Sequence, residues 1–485
     1  MKMKKTISAA AALCIAAAML GGCSADNDHG LSPNDPAIIT IWHYYNGVQQ
    51  ETFDDMVLKF NETVGQEMGI VVEARNKGTI SDLSESALAA LRKDVGAEKA
   101  PDMFAAYAET AYIADQMGCV VDLSQYFTEK ELSEYVSGYL NEGKLSDDSG
   151  LKIFPTAKST EVMMLNLTDW ETFAEAEGVT YDDLSTWEGL AEAAEKYYNY
   201  TDALTPDTDN DGRAFFGRDS VANYMVVGAK QLGLEYFTST ESGFELNEDK
   251  DVLKKLWECY YVPYVKGHYL SQARFRSDDA KTGAIIAMVC STTGAAYFPD
   301  SVTLNDEYTY PIEGIVLSVP NFEGAEPYAV QQGAGMVVVK SDEKTEYACS
   351  VFLKWMTEKE RNIAFSASSG YLPVKTEAND FGAIHDEYLA DGNSEDALLS
   401  ALEVAAEEIG NCEMYAAKAF EKSTESRDFL DTYIQNTAQA AHDEAAARIA
   451  EGEDRDSVLK EYVSDKAFDE WYAGFISGLK TAVGK

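Results

Sequence analysis

The sequence predicts an α/β protein built as two lobes, and two observations carry that expectation. At 485 residues, 46% of them hydrophobic, the chain is too long for one ordinary core and too apolar to stay unfolded. Short apolar strands and one-sided helices also alternate along it, most compactly between residues 311 and 374. There the runs 315–319 and 336–339 are apolar and largely β-branched, closed by Pro320 and by Lys340-Ser341. From Ser341, a possible N-cap, the period changes. Ala348, Val351, Phe352, Trp355 and Met356 recur at helical spacing, with Glu343 in the first turn. A tight turn, Gly370-Tyr371-Leu372-Pro373-Val374, ends the stretch.

The other elements follow the same pattern. Residues 37–42 read as a first strand ending in His43-Tyr44-Tyr45-Asn46-Gly47, and the next helix puts Phe53, Met56, Val57, Phe60 and Val64 on one face. A strand over 69–74, a helix from Ser81, a short strand over 101–107 and a helix stopped by Gly118 come next. Residues 152–156 lead into the apolar run 161–166. Thr186 caps a helix whose Trp187, Leu190, Ala191 and Ala194 face inwards. A buried run at 284–290 ends in Ser291-Thr292-Thr293-Gly294, and beyond Val374 the chain reads as mostly helical. No repeat or low-complexity block interrupts it.

Charge excludes one class of partner. Against 39 Lys and Arg stand 83 Asp and Glu, a net of −44, so nucleic acid is disfavoured, as are polyanions unless a local basic pocket exists. Cys119, Cys259, Cys290, Cys349 and Cys412 are odd in number and widely spaced, which reads as free core thiols and not as a disulfide framework. The five His, at 29, 43, 268, 385 and 442, form no cluster with metal-ligand spacing. Asp207, Asp209 and Asp211, followed by Gly212, match the start of a calcium loop, although its twelfth position is Arg218, where a bidentate Glu belongs. Calcium is therefore the one cofactor the sequence raises.

The amino terminus reads as an address. Lys2, Lys4 and Lys5 precede an uncharged Ala-rich run over 7–20, as in a secretory signal spanning 1–22. Leu20-Gly21-Gly22-Cys23 resembles the lipobox of bacterial lipoproteins, which implies cleavage before Cys23, acylation of that residue (palmitate among its chains) and anchorage on the extracellular face of the cell membrane. Residues 23–36 then serve as lipid anchor and polar linker.

Several landmarks occur in a particular order: Pro101-Asp102-Met103-Phe104, Thr186-Trp187-Glu188 with Leu190, Gly333-Ala334-Gly335 entering an apolar strand, Phe352-Leu353-Lys354-Trp355-Met356, and the 370–374 turn. In this order they resemble the extracellular solute-binding proteins (family 1 type) of bacterial ABC importers, in the branch that carries mostly sugars. At the first crossing between lobes Phe154 and Leu165 stand where that family has other aromatics. The resemblance implies a type II periplasmic-binding-protein-like fold with a ligand cleft between lobes. It places 37–156 and the return segment 313–342 in the first lobe, and 157–312 with 343–485 in the second. It also implies a monomeric binding protein, not an enzyme, that delivers a sugar or oligosaccharide to permease subunits. A glycerol phosphate ester or a peptide is the alternative cargo, and a lipid-anchored glycoside hydrolase the more distant alternative function. No Gly-x-Ser-x-Gly elbow, His-Glu-x-x-His or phosphate loop speaks for an enzyme, and Gly333-x-Gly335 enters a strand instead of following one.

Ligand-binding residues are expected at strand ends and lobe crossings, where a ring or a hydrogen-bonding group can meet the solute. Trp42, His43, Tyr44 and Tyr45 end the first strand, and Tyr107 and Glu109 the third. Ser159 and Glu161 lie at the first crossing, Ser291 and Thr292 end a second-lobe strand, and Gln331 and Gln332 precede the Gly333 strand. Tyr371 belongs to a turn that the family often places near the cleft.

Overall fold

The structure, a computed structural model, describes residues 29–146, 149–240, 243–305, 308–390 and 392–485. The signal segment and Cys23 lie outside the described residues. Among those described, no helix is long and apolar enough to cross a membrane.

Each lobe is organised by a four-stranded sheet. In the first, the order is Gly335–Val338, Met103–Ala106, Ala37–His43, Ile70–Asn76, with the last three parallel and the first antiparallel to its neighbour. In the second, the order is Gly314–Leu317, Glu161–Asn166, Ala287–Ser291, Phe216–Arg218. Glu161–Asn166 is antiparallel to both of its neighbours, and the last strand runs parallel to Ala287–Ser291. The unbroken apolar run in Glu161–Asn166 follows from burial on both faces. Met163 and Leu165 enter one core layer, Val162 and Met164 the opposite one. Ala287 and Val289 against Met288 and Cys290 divide in the same way.

Three chain crossings join the lobes and hydrogen-bond to one another. Ser159 and Gln332 exchange backbone bonds at 3.0 and 2.8 Å, and Lys158 and Leu372 exchange another pair at 3.1 and 2.6 Å. Phe154 and Met336 bridge at the first-lobe end. A short ladder of this kind resists shear but flexes about its own axis, so it can act as a hinge.

Two assignments differ from the sequence reading. Gly314–Leu317 was expected with the first-lobe return segment but pairs with Glu161–Asn166 in the second lobe, so the return to the first lobe begins later, near Gln331. Helix Glu343–Met356, expected in the second lobe, buries Ala348, Phe352, Leu353 and Met356 in the first-lobe core against Phe53 and Phe60. An apolar run shows that a segment is buried, not which of two sheets receives it. The helix is capped by Asp342, whose Oδ1 accepts from the Thr345 amide at 3.0 Å, and not by Ser341. Beyond Val374 the described residues form five α-helices, Ala397–Asn411 and Ser423–Ala450 among them, but a short strand, Glu413–Tyr415, also pairs parallel with Tyr328–Val330. The five cysteines from Cys119 onwards are free thiols.

Candidate functional site

Between the lobes, beside the crossings, lies a cavity of about 360 Å³. Larger grooves of 840 and 760 Å³ are lined by second-lobe residues alone, so this cavity is the one that lobe movement would open and close. Its first-lobe wall is formed by Tyr107, Ala108 and Glu109, at the carboxyl end of Met103–Ala106, and by Glu142 at the end of helix Ser137–Glu142. Gln331, Gln332 and Gly333 form its floor within the second crossing. Asn223 and Val226 of helix Val221–Gln231, the strap 415–420, and Ser423, Thr424 and Arg427 at the start of helix Ser423–Ala450 close the second-lobe side.

The floor is held by charge. Lys158 is buried, and its Nζ donates to Glu142 Oε2 at 2.5 Å and to the Gly333 carbonyl at 2.7 Å. Gln331 Nε2 donates to the same carboxylate at 2.7 Å, while its buried Oε1 has no protein partner among the described residues. Gly333 has φ +102, and a Cβ there would press on the Ala157 carbonyl at 3.1 Å and on the Tyr371 ring, so the crossing requires glycine at this point. Burial pushes the Glu109 carboxyl up to about 7, with Glu425 and Asp428 adding to it. The nearby Thr424 backbone and Lys422 act in the other direction. Tyr107 is 46% exposed, and its hydroxyl is also pushed up, by burial and by nearby Tyr371 and Glu142. Lys418 Nζ donates to the carbonyls of Asn141 and Lys144 at 2.5 and 2.7 Å, tying the strap to the first lobe.

Of the residues expected from sequence, Tyr107, Glu109, Gln331 and Gln332 line the cavity. Tyr371 lies behind Gly333 beside Tyr44, and both rings neighbour Tyr107. The others serve the fold. Trp42 is 1% exposed in the first-lobe core, with Lys77 Nζ 4.0 Å from its ring centre. His43 stacks on Tyr45 at 5.2 Å and meets Phe53 edge-on, and burial lowers its pKa to about 4. Tyr45 is buried with them. Ser159 contributes backbone bonds to the crossing. Glu161 pairs with buried Arg218 at 2.7 Å and accepts from Asn223 Nδ2 at 2.9 Å. Ser291 Oγ caps the next turn by accepting from the Gly294 amide, and Thr292 Oγ1 donates to the Gly370 carbonyl at 2.8 Å.

Sequence reasoning missed Glu142, Asn223, the strap and Arg427. These lie on helix ends and in a connection between helices, which the strand-end rule does not reach. At the stretch where calcium was expected, Asp207, Asp209 and Asp211 are not drawn together: among the described residues no group of three or more His, Cys, Asp or Glu is gathered for a metal ion. Asp211 accepts from Thr205 Oγ1, and Arg218, at the loop's twelfth position, points its guanidinium at Glu161 instead.

Comparison with solved structures returns the same two-lobed fold. The cyclic alpha-maltosyl-1,6-maltose binding protein from Arthrobacter globiformis is 18% identical, covers 92% of this chain and 100% of its own, and has a TM-score of 0.63. UgpB from Mycobacterium tuberculosis in complex with glycerophosphocholine is 16% identical over 88% and 100%, with a TM-score of 0.61. An ABC substrate-binding protein from Listeria monocytogenes in complex with cycloalternan is 15% identical over 93% and 100%, with a TM-score of 0.58. Comparison with curated protein sequences gives no match. The family model described as bacterial extracellular solute-binding protein matches residues 55–394, and with the lobes, crossings and interlobe cavity in view, the chain belongs to that family.

Proposed function

We propose that this protein captures an oligosaccharide in the cavity between its lobes and delivers it to the permease of an ABC importer, held at the extracellular face of the membrane by lipid on Cys23. The observation that carries the reading is the composition of the interlobe cavity. Tyr107 and Tyr415 offer ring faces to the apolar side of a pyranose, while Glu109, Gln331, Gln332 and Asn223 offer partners to its hydroxyls. Binding by lobe closure needs no bond to be broken. The cavity carboxylates serve as acceptors, Glu142 already fixed by Lys158 and Gln331, with Glu109 beside it on the first-lobe wall. Two of the similar structures are named for saccharides, the maltosyl-maltose and cycloalternan binding proteins, which supports the class of cargo.

A panel of mono- and oligosaccharides tested by thermal shift and then by titration calorimetry decides the matter. The expected outcome is a single saccharide class that raises the melting temperature, binds one to one and is recovered intact. Recovery of cleaved sugar, or no shift across the panel, contradicts the proposal. The anchor is tested separately: Cys23→Ala is expected to move the protein out of the membrane fraction.

A further inference from the structure

Within the proposed site the charges do not follow those of the chain. The protein carries a net −44, yet exposed charges more than about 8 Å away are largely screened at physiological salt, so a solute in the cavity responds to its walls. There, Glu142 is neutralised by Lys158. Glu109, raised to about 7, carries much less than a full charge near neutrality. Glu425 is paired with Lys422 at 2.6 Å, and the charge of Asp428 falls on Glu109. Lys418 is docked on backbone carbonyls.

Arg427 differs from all of these. It lines the cavity, and no carboxylate pairs with it among the described residues. Its Nη2 donates to Asn223 Oδ1 at 2.6 Å and to Ser220 Oγ at 3.5 Å, leaving Nε and Nη1 without an acceptor among the described residues. Asn223 is itself 1% exposed and fixed to Glu161, which Arg218 holds from the other side, so the guanidinium is positioned by a buried network before any solute arrives. On the facing wall, the Tyr107 hydroxyl is close enough to feel the charge of Arg427. Gln331 also lines the cavity, its amide held in place by the Glu142 carboxylate.

We infer that Arg427 is a specificity-determining residue and that the solute carries one anionic group, a carboxylate or phosphodiester on a polyhydroxylated body, which its guanidinium receives while Gln331 and Glu109 take hydroxyls. This rests on the proposed capture of a solute between the lobes. A fixed, unpaired guanidinium suits the bidentate geometry of a carboxylate or phosphodiester, and a neutral sugar would use only part of it.

The test is calorimetry with three probes: a neutral gluco-trisaccharide, a trisaccharide of similar size bearing one uronate, and glycerophosphocholine. Each is titrated at low and at high sodium chloride into the wild-type protein, Arg427→Gln and Arg427→Lys, with melting temperatures measured as a check on folding. At least one anionic probe is expected to bind the wild type tenfold or more tightly than the neutral one. That advantage is expected to shrink with salt, vanish in Arg427→Gln and return in part in Arg427→Lys. Which anionic probe wins separates uronate from phosphodiester. Equal or tighter binding of the neutral probe, unchanged in Arg427→Gln, overturns this inference and leaves the capture of a saccharide standing. No binding of any probe overturns both.

Discussion

The first and third strands of the first-lobe sheet are neighbours, run parallel and end at the same edge, yet their carboxyl ends have opposite fates. After Ala37–His43 the chain turns its rings inwards: Trp42 under Lys77, His43 and Tyr45 against Phe53, and Tyr45 against Phe365. After Met103–Ala106 it turns straight into a helix whose first residues, Tyr107 to Glu109, face the other lobe. What separates them is the cover. Helix Lys359–Ala367, which leads to the third crossing, packs over the first strand's end, whereas the end of the third opens on the cavity. Position at a strand end is thus not sufficient to place a residue of this sheet in the interlobe cavity.

Substitutions at the two ends sharpen the contrast. Trp42→Ala is expected to cost about 3 to 5 kcal/mol of stability, the range for truncating a buried aromatic, while leaving affinity nearly unchanged wherever the protein is still folded. Urea denaturation paired with calorimetry checks it, and a large affinity loss with intact stability would return Trp42 to the site. Tyr107→Ala should do the reverse: a tenfold or greater loss of affinity, about 1.4 kcal/mol, with a stability change within about 0.5 kcal/mol.

Buried titratable groups extend the comparison to pH, with opposite signs in the two lobes. Burial lowers His43 of the first lobe to about 4. Its contribution is therefore full above its ordinary value of 6.5 and is lost as pH falls through 4. Glu408 of the second lobe, 5% exposed, is pushed up to about 8 by burial and by Glu161, against the Val319 amide and the Thr160 hydroxyl, which donate to its carboxylate. Its contribution is full below 4.5 and is lost as pH rises towards 8. Stability measured by urea at pH 5, 7 and 9 should fall less steeply from 5 to 9 in Glu408→Gln than in the wild type. An unchanged slope would assign the dependence elsewhere. The smallest expected effect is that of calcium: neither the ion nor a chelator should shift the melting temperature or produce terbium luminescence, because Asp207, Asp209 and Asp211 are not gathered.

These contrasts also show how far the residues could be read in advance. The strands were legible because double-sided burial demands unbroken apolar runs, as in 162–165 and 336–339. Their sheet membership was not, since residues 314–317 would satisfy either edge, and only pairing with Glu161–Asn166 settles it. Tyr107, Glu109 and Gln331 follow from strand-end and crossing logic. Arg427 and Asn223 do not, because both sit on helices far apart in sequence, and helix packing brings them within 2.6 Å.

Hydrogen exchange of backbone amides, with and without a saturating saccharide from the panel, tests the central claim that the solute sits between the lobes. Protection is expected at residues 107–109, 331–333 and 415–427, on both sides of the cavity, with the 37–45 segment unchanged. Protection over 37–45 or on the outer grooves of the second lobe, with none at 107–109 and 415–427, would contradict it.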